Sequence, residues 1–266
     1  MKMVAAAKLA RAQLALLNAR PYSDRLKEMI SNIISRHPGD LLHPLLTQRE
    51  VIKNAMVLVF TANRGLCGSF NTNILRTAEQ FLNELRQNKT QVELSVIGKK
   101  GNVFLHDHGY DIAAAHNDWA DGLDFVHAQA VVQQATTRFL AGEIDAVFFV
   151  YSHFNSAVSQ HPTVERLLPF DLSTITLKYC VDFLYEPSRQ VVLDNLIPRH
   201  LATRLHAAHL EARASELGAR TSAMESATIN AADMISRLTL SYNRARQSSI
   251  TRELMDIVNG AEALRQ

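Results

Sequence analysis

The sequence predicts an α/β protein: a long antiparallel coiled coil of the N- and C-terminal helices with an inserted Rossmann-like open α/β domain. Three observations predict it. From Pro198 to Gln266 only Gly218 and Gly260 interrupt a run rich in Ala, Leu, Glu, Arg and Met, the residues that favour helix. The first 36 residues carry a similar alanine-rich rhythm. Between the ends, short apolar runs of strand length alternate with amphipathic stretches, the order that builds an open sheet covered by helices. The expected division is residues 1–50 as the N-terminal coiled-coil helix and its loop, 51–187 as the central α/β domain, and 188–266 as the C-terminal helix pairing with 1–36.

At 266 residues, 47% hydrophobic and 20% charged, the chain can bury a sizeable core and is not disordered. A net charge of +2 does not mark nucleic acid as a partner. Two cysteines, Cys67 and Cys180, make no disulfide framework. No apolar run is long enough to cross a bilayer, so direct bilayer insertion is not expected. The alanine-rich start MKMVAAAKLARAQ lacks the apolar core and cleavage pattern of a signal peptide and reads as helix.

In the N-terminal helix, Met3, Ala7, Ala10, Leu14 and Leu17 step by four and three, the spacing of a coiled-coil seam. Pro21 is expected to disturb the ladder, and Tyr22, Leu26, Met29 and Ile33 resume the rhythm. Pro38 and Gly39 end the helix, and a loop runs to about Gln48. Ala55 to Thr61 (AMVLVFT) and Ala146 to Tyr151 (AVFFVY) are continuous apolar runs, suited to strands covered on both faces. Val92 to Ile97 and Tyr110 to Ala114 are further strands. Thr72 to Gln87, Lys99 to His106 and Asp124 to Leu140 are helices. Val164 to Leu168 and Tyr179 to Tyr185 are candidate edge strands, and Glu186-Pro187-Ser188 is a turn. The final helix is expected from Pro198, because proline suits the first helical position. A helix of ~65 residues is ~100 Å long, more than a compact domain encloses, so much of it packs on a partner helix or another protein. Leu201, Leu205, Ala208 and Ala212, and again Ile250, Leu254, Ile257, Ala261 and Leu264, keep seam spacing. Ala219, Ala223, Ala227 and Ala231 step by four, a slip that locally unwinds a supercoil.

Several places could carry chemistry. The stretch Asn63 to Ser69 follows a strand and precedes a helix, where open α/β sheets bind phosphates. It matches neither glycine-rich nucleotide motif and reads as a structural turn. Cys67 as a nucleophile needs an activating base. His106, His108 and His116 flank Asp107 and Asp111 without metal-ligand spacing on a helix, and read as a solvated connection. In the run SYNRARQSSITRELMDIVNGAEAL, Arg244, Arg246 and Arg252 lie among Asn243, Gln247, Ser248, Ser249 and Thr251, with Glu253 and Asp256 following. Such a face suits polar contact with surrounding protein, or is an ordinary solvated face.

The chain resembles the gamma subunit of the F-type, proton-translocating ATP synthase, in its bacterial form. The text that carries the resemblance is MKMVAAAKLARAQ at Met1, RGLCGSFN at Arg64, HPLL at His43, VIGKKG at Val96, LLPF at Leu167, YEPS at Tyr185 and the run from Ser215. It spans the whole chain. The resemblance implies a central rotor shaft coupling proton flow through the membrane ring to ATP synthesis and hydrolysis on the beta subunits. It implies no catalytic residue, metal or cofactor in this chain. The implied partners are three alpha and three beta subunits around one copy, the epsilon subunit and the membrane c-ring, at the cytoplasmic face of the bacterial plasma membrane. By match to the family motif, Arg246, Gln247, Thr251 and Glu253, with Met1 and Lys2 on the other helix, contact the beta subunits. Relatives usually carry ~22 residues before the first motif, ~33 Å of helix, so part of the C-terminal helix is expected to lack its partner. The inserted redox segment of chloroplast relatives is missing, and no thiol switch is expected. The readings that compete are a coiled-coil scaffold without ATPase partners and an α/β enzyme using Cys67.

Overall fold

The computed structural model describes residues 1–36, 43–49, 51–170 and 184–264. The chain divides into two units, Met1–Ser222 and Ala223–Gln266. In the first unit a five-stranded sheet has the order β3-β2-β1-β4-β5. Its strands are β1 (Asn54–Phe60), β2 (Gln91–Ile97), β3 (Ile112–His116), β4 (Ala146–Phe154) and β5 (Gln160–Leu168). The helices are α1 (Lys2–Arg36), α2 (Phe70–Gln87), α3 (Lys99–Asp107), α4 (Phe125–Leu140) and α5 (Arg189–Ala263). The first four strands are parallel, with Val57 opposite both Leu94 and Phe148, and β5 runs antiparallel to β4 with Val150 opposite Val164.

The central strands read as unbroken apolar runs because both sheet faces are covered. Met56, Leu58 and Phe60 pack in one cluster with Phe149, Tyr151 and α5 residues Leu201, Leu205 and Ala208. Ala55, Val57 and Val59 face the other way, into a cluster with Ile74, Ala78 and Leu82 of α2 and Leu105 of α3. The β1–α3 junction depends on Gly98, whose φ of 100° is left-handed and whose absent β-carbon would lie 2.2 Å from the Thr61 carbonyl oxygen. The Thr61 hydroxyl in turn accepts the Gly101 N–H at 2.9 Å. That close approach explains the two glycines of VIGKKG.

α1 runs antiparallel to α5. Leu9, Ala12 and Leu16 cluster with Leu210, Ala214 and Leu217, while further along α1 the Tyr22 ring lies 5.6 Å from the Arg199 guanidinium. The seam differs from the expected one. Met3, Leu14 and Leu17 are 86%, 60% and 59% exposed, and Ala5, Leu9, Ala12 and Leu16 are buried instead. Tyr22 and Met29 are also exposed, whereas Leu26, Ile30 and Ile33 are buried. Both sides of this helix are apolar, so periodicity alone does not pick the side. The helix continues through Pro21, at the loss of one backbone hydrogen bond.

α5 does not start at Pro198. It starts at Arg189 and carries Pro198 inside. Ser188 provides the cap, its hydroxyl accepting the Val191 N–H at 3.4 Å and its carbonyl the Val192 N–H at 3.1 Å. A serine cap at a turn outweighs the proline preference. β3 lies two residues later than expected, and β4 extends to Phe154 to pair with Gln160. Pro162 sits in β5 at the sheet edge, where a missing N–H is tolerated. Of the expected strand Tyr179 to Tyr185, residues 179–183 lie outside the described residues, and Tyr185 is not in a strand.

Candidate functional site: the junction of the long helix with the sheet

Open α/β sheets bind ligands beyond the carboxyl ends of their parallel strands. Here α5 occupies that place. A polar stripe on α5, His209, Arg213, Glu216 and Arg220, steps by four, three and four, so it lies along one helix face. His209 Nε2 accepts the Leu123 N–H at 3.1 Å. Arg213 donates to the carbonyls of Ala120, at 3.2 Å, and Asp121. Arg220 donates to the Gly65 carbonyl at 2.6 Å and pairs with Glu216 at 2.5 Å. Ser215 donates to the Ser152 carbonyl at 3.0 Å. The loops after β1 and β3 and the end of β4 are all bonded to one helix.

The glycine loop takes part in this junction. Its carbonyl oxygens point at Arg220, whereas a phosphate cradle needs converging N–H groups. Asn63 ties the loop to its neighbours, donating to the Asn117 carbonyl at 2.9 Å and accepting the Lys99 N–H at 3.1 Å. Cys67 is 2% exposed, and its sulfur accepts from Asn71 at 3.3 Å. Burial pushes the Cys67 thiol up despite nearby Arg220, which disfavours the nucleophilic thiolate. Cys180 lies outside the described residues.

The histidines of the predicted polar connection are dispersed. His106 is beside Asp107 at 3.8 Å, His108 stacks on Phe104 at 3.9 Å, and His116 stacks on Trp119 at 3.7 Å between ring centroids. Burial lowers the His116 pKa. Among the described residues no group of three metal-ligating side chains converges.

A second polar link lies under the sheet edge. Arg204 of α5 donates to Glu165 of β5 at 2.7 and 2.5 Å and to the Tyr151 hydroxyl of β4 at 2.9 Å. Burial opposes the Arg204 charge, but its bonds to Glu165 raise its pKa, so it stays protonated. Burial likewise pushes the Tyr151 hydroxyl up. Glu211, 5% exposed, pairs with His153. The α5 side chains of the junction, Arg204, His209, Arg213 and Arg220, were not singled out from sequence. The available signal was the polar stripe at seam spacing from His209 to Arg220, which marks a helix face meeting polar groups rather than an apolar partner.

Of the family-motif residues, Arg246, Gln247, Thr251 and Glu253 lie together on the helical stretch of the second unit, all exposed. Arg246 and Glu253 are seven apart, flanking exposed Ile250 on one face, and Gln247 and Thr251 are four apart beside it. The Ser249 hydroxyl lies 3.3 Å from Glu253 Oε1. Met1 and Lys2 belong to the first unit, both exposed, and the Met1 carbonyl accepts the Ala5 N–H at 3.0 Å. No helix among the described residues is long and apolar enough to cross a membrane.

In the first unit the carboxyl ends of the parallel strands are covered by α5, and in the second a helical stretch exposes Ile250, Leu254 and Ile257 among its polar groups, the mix of side chains found on subunits of an assembly. The family model described as ATP synthase matches residues 1–264. The chain is 47% identical over 268 residues to the ATP synthase gamma chain of Anaeromyxobacter dehalogenans, covering 100% of this chain and 92% of the relative. It is 42% identical over 274 residues to that of Chlorobaculum tepidum, with the same coverage. The central stalk of the Tetrahymena thermophila mitochondrial ATP synthase, solved with its c-ring, superposes with a TM-score of 0.64 at 25% identity, over 86% of this chain and 97% of that one. The chain belongs to the ATP synthase gamma-chain family.

Proposed function

We propose that this chain is the central rotor shaft of an F-type ATP synthase, coupling proton flow through a membrane c-ring to ATP synthesis and hydrolysis. The observation that carries the reading is the family match over the whole chain, together with the exposed helix bearing the Arg246–Glu253 text. Three alpha and three beta subunits surround one copy, and Arg246, Gln247, Thr251 and Glu253, with Met1 and Lys2, contact the beta subunits. The sheet domain meets the epsilon subunit and the c-ring at the cytoplasmic face of a bacterial plasma membrane. The working division is coiled-coil helix and loop to residue 50, α/β domain to 187, and helix beyond.

The shaft contributes no catalytic group; it acts by differential contact. A helix presents different side chains around its circumference, so each beta subunit meets a different face. A contact shifts a subunit between conformations only by as much as it favours one over the other. Turning the shaft passes those contacts from one beta subunit to the next and changes their nucleotide affinities in sequence.

Co-expression with alpha and beta subunits, followed by native mass spectrometry and an ATPase assay, tests this. The expected result is a complex of three alpha, three beta and one copy of this chain, with ATPase above that of the separate subunits. A free chain that dimerises with itself and ignores both partners would establish the scaffold reading instead.

A further inference from the structure

The junction holds a titratable group where a fixed one would serve. His209 is 3% exposed and His206 is half-buried beside it on α5. Because His209 Nε2 accepts the Leu123 N–H, that nitrogen carries no proton, and the neutral ring has its proton on Nδ1. The charged and titratable groups around it, among the described residues, come from several elements. From α5 itself they are Arg213, His206 and Glu216. The segment before α4 contributes the Leu123 N–H and Asp124, the latter facing His206. Phe60 and Thr61 from the end of β1, with Phe70 and Ile97, are uncharged. The His206 ring meets Phe125 edge-on at 6.1 Å, and the Leu123 backbone and the Asp124 carboxylate beside it favour its charged form against burial.

A proton on His209 Nε2 would turn the acceptor into a donor aimed at another donor. It would also place a second cation beside Arg213 in a buried space. Arg213 also ties α5 to this segment, through the carbonyls of Ala120 and Asp121. We propose that His209 is an acid-release latch that holds residues 120–125 against α5 and lets go when protonated. The latch belongs to the chain alone. Its consequence, a sheet domain that loosens from the shaft and transmits torque poorly in acid, rests on the rotor reading.

The test is hydrogen exchange on the full chain, read by mass spectrometry over residues 118–125 and 204–214 and corrected for intrinsic rates. One proton taken up on opening predicts a rise of about 30-fold in the opening constant between about pH 7.5 and 5.0. His209→Gln keeps an acceptor that does not titrate and is expected to flatten the rise. No rise in the parent chain, or an equal rise in the variant, would overturn the latch. A ring-proton NMR titration of the folded parent chain needs no variant: His209 stays neutral to about pH 5, and a midpoint above about 6 contradicts the proposal. Failure to assemble with alpha and beta subunits would strike the rotor reading and leave this result standing.

Discussion

Gly218 of α5 and Ala157 of the β4–β5 turn meet backbone to backbone. A β-carbon at Gly218 would stand 3.2 Å from both the Cα and the carbonyl oxygen of Ala157. That carbonyl is itself fixed by the Gln160 side-chain amide at 2.7 Å. Glycine inside a helix costs about 1 kcal/mol relative to alanine, and here the close approach accounts for it. Gly218→Val should lower stability by about 1–3 kcal/mol through overpacking, measured by urea unfolding of the isolated chain. A more stable variant would mean the turn does not press on the helix.

The two sides of α1 make opposite predictions. Leu9→Ala and Leu16→Ala remove side chains that are 7% and 2% exposed and should each cost about 2–5 kcal/mol. Leu14→Ala and Leu17→Ala, on the exposed side, should stay within about 0.5 kcal/mol in the isolated chain. Equal losses on both sides would restore the seam first read from the sequence.

Arg204 ties Glu165 and Tyr151 to α5 and lies 3.8 Å from the buried Glu211 carboxylate. Arg204→Met keeps the length and removes the charge-assisted bonds. It should destabilise by about 1.5–3 kcal/mol, because it leaves the carboxylates without their cation. A neutral outcome by urea unfolding would show that water replaces the guanidinium there.

Stability should fall in acid. Burial above all pushes the His200 pKa down to about 4 and the His209 pKa down to about 3, from an ordinary 6.5. Below the ordinary value the unfolded chain takes up protons that the folded chain refuses. The unfolded state then binds more protons, so stability is full above that value and is lost as pH falls toward the folded values. The urea midpoint should be flat above about pH 7 and drop below 6.5, and substituting both histidines by glutamine should reduce that drop.

The strands of the sheet were legible because burial on both faces leaves unbroken apolar runs, as in Ala55 to Phe60 and Ala146 to Tyr151. The pairing of the terminal helices was legible from their shared rhythm. The side of α1 that pairs was not, since Leu9 and Leu14 look alike until a partner covers one of them. The α5 start was missed because Pro198 is a louder signal than the Ser188 cap. The C-terminal run from Ser241 to Leu264 stood out as sequence. The junction did not, because its partners, Leu123, Ala120 and Ser152, offer main-chain groups that leave no trace in residue type.

The central claim, that this chain turns inside a ring of alpha and beta subunits, is tested most directly by watching it turn. The assembled complex would be fixed through the beta subunits, with a bead on a cysteine introduced in the sheet domain at exposed Ala113. The account predicts ATP-driven rotation in one direction, with pauses about 120° apart set by the threefold ring. ATP hydrolysis by an intact complex whose bead shows only undirected fluctuation would contradict it.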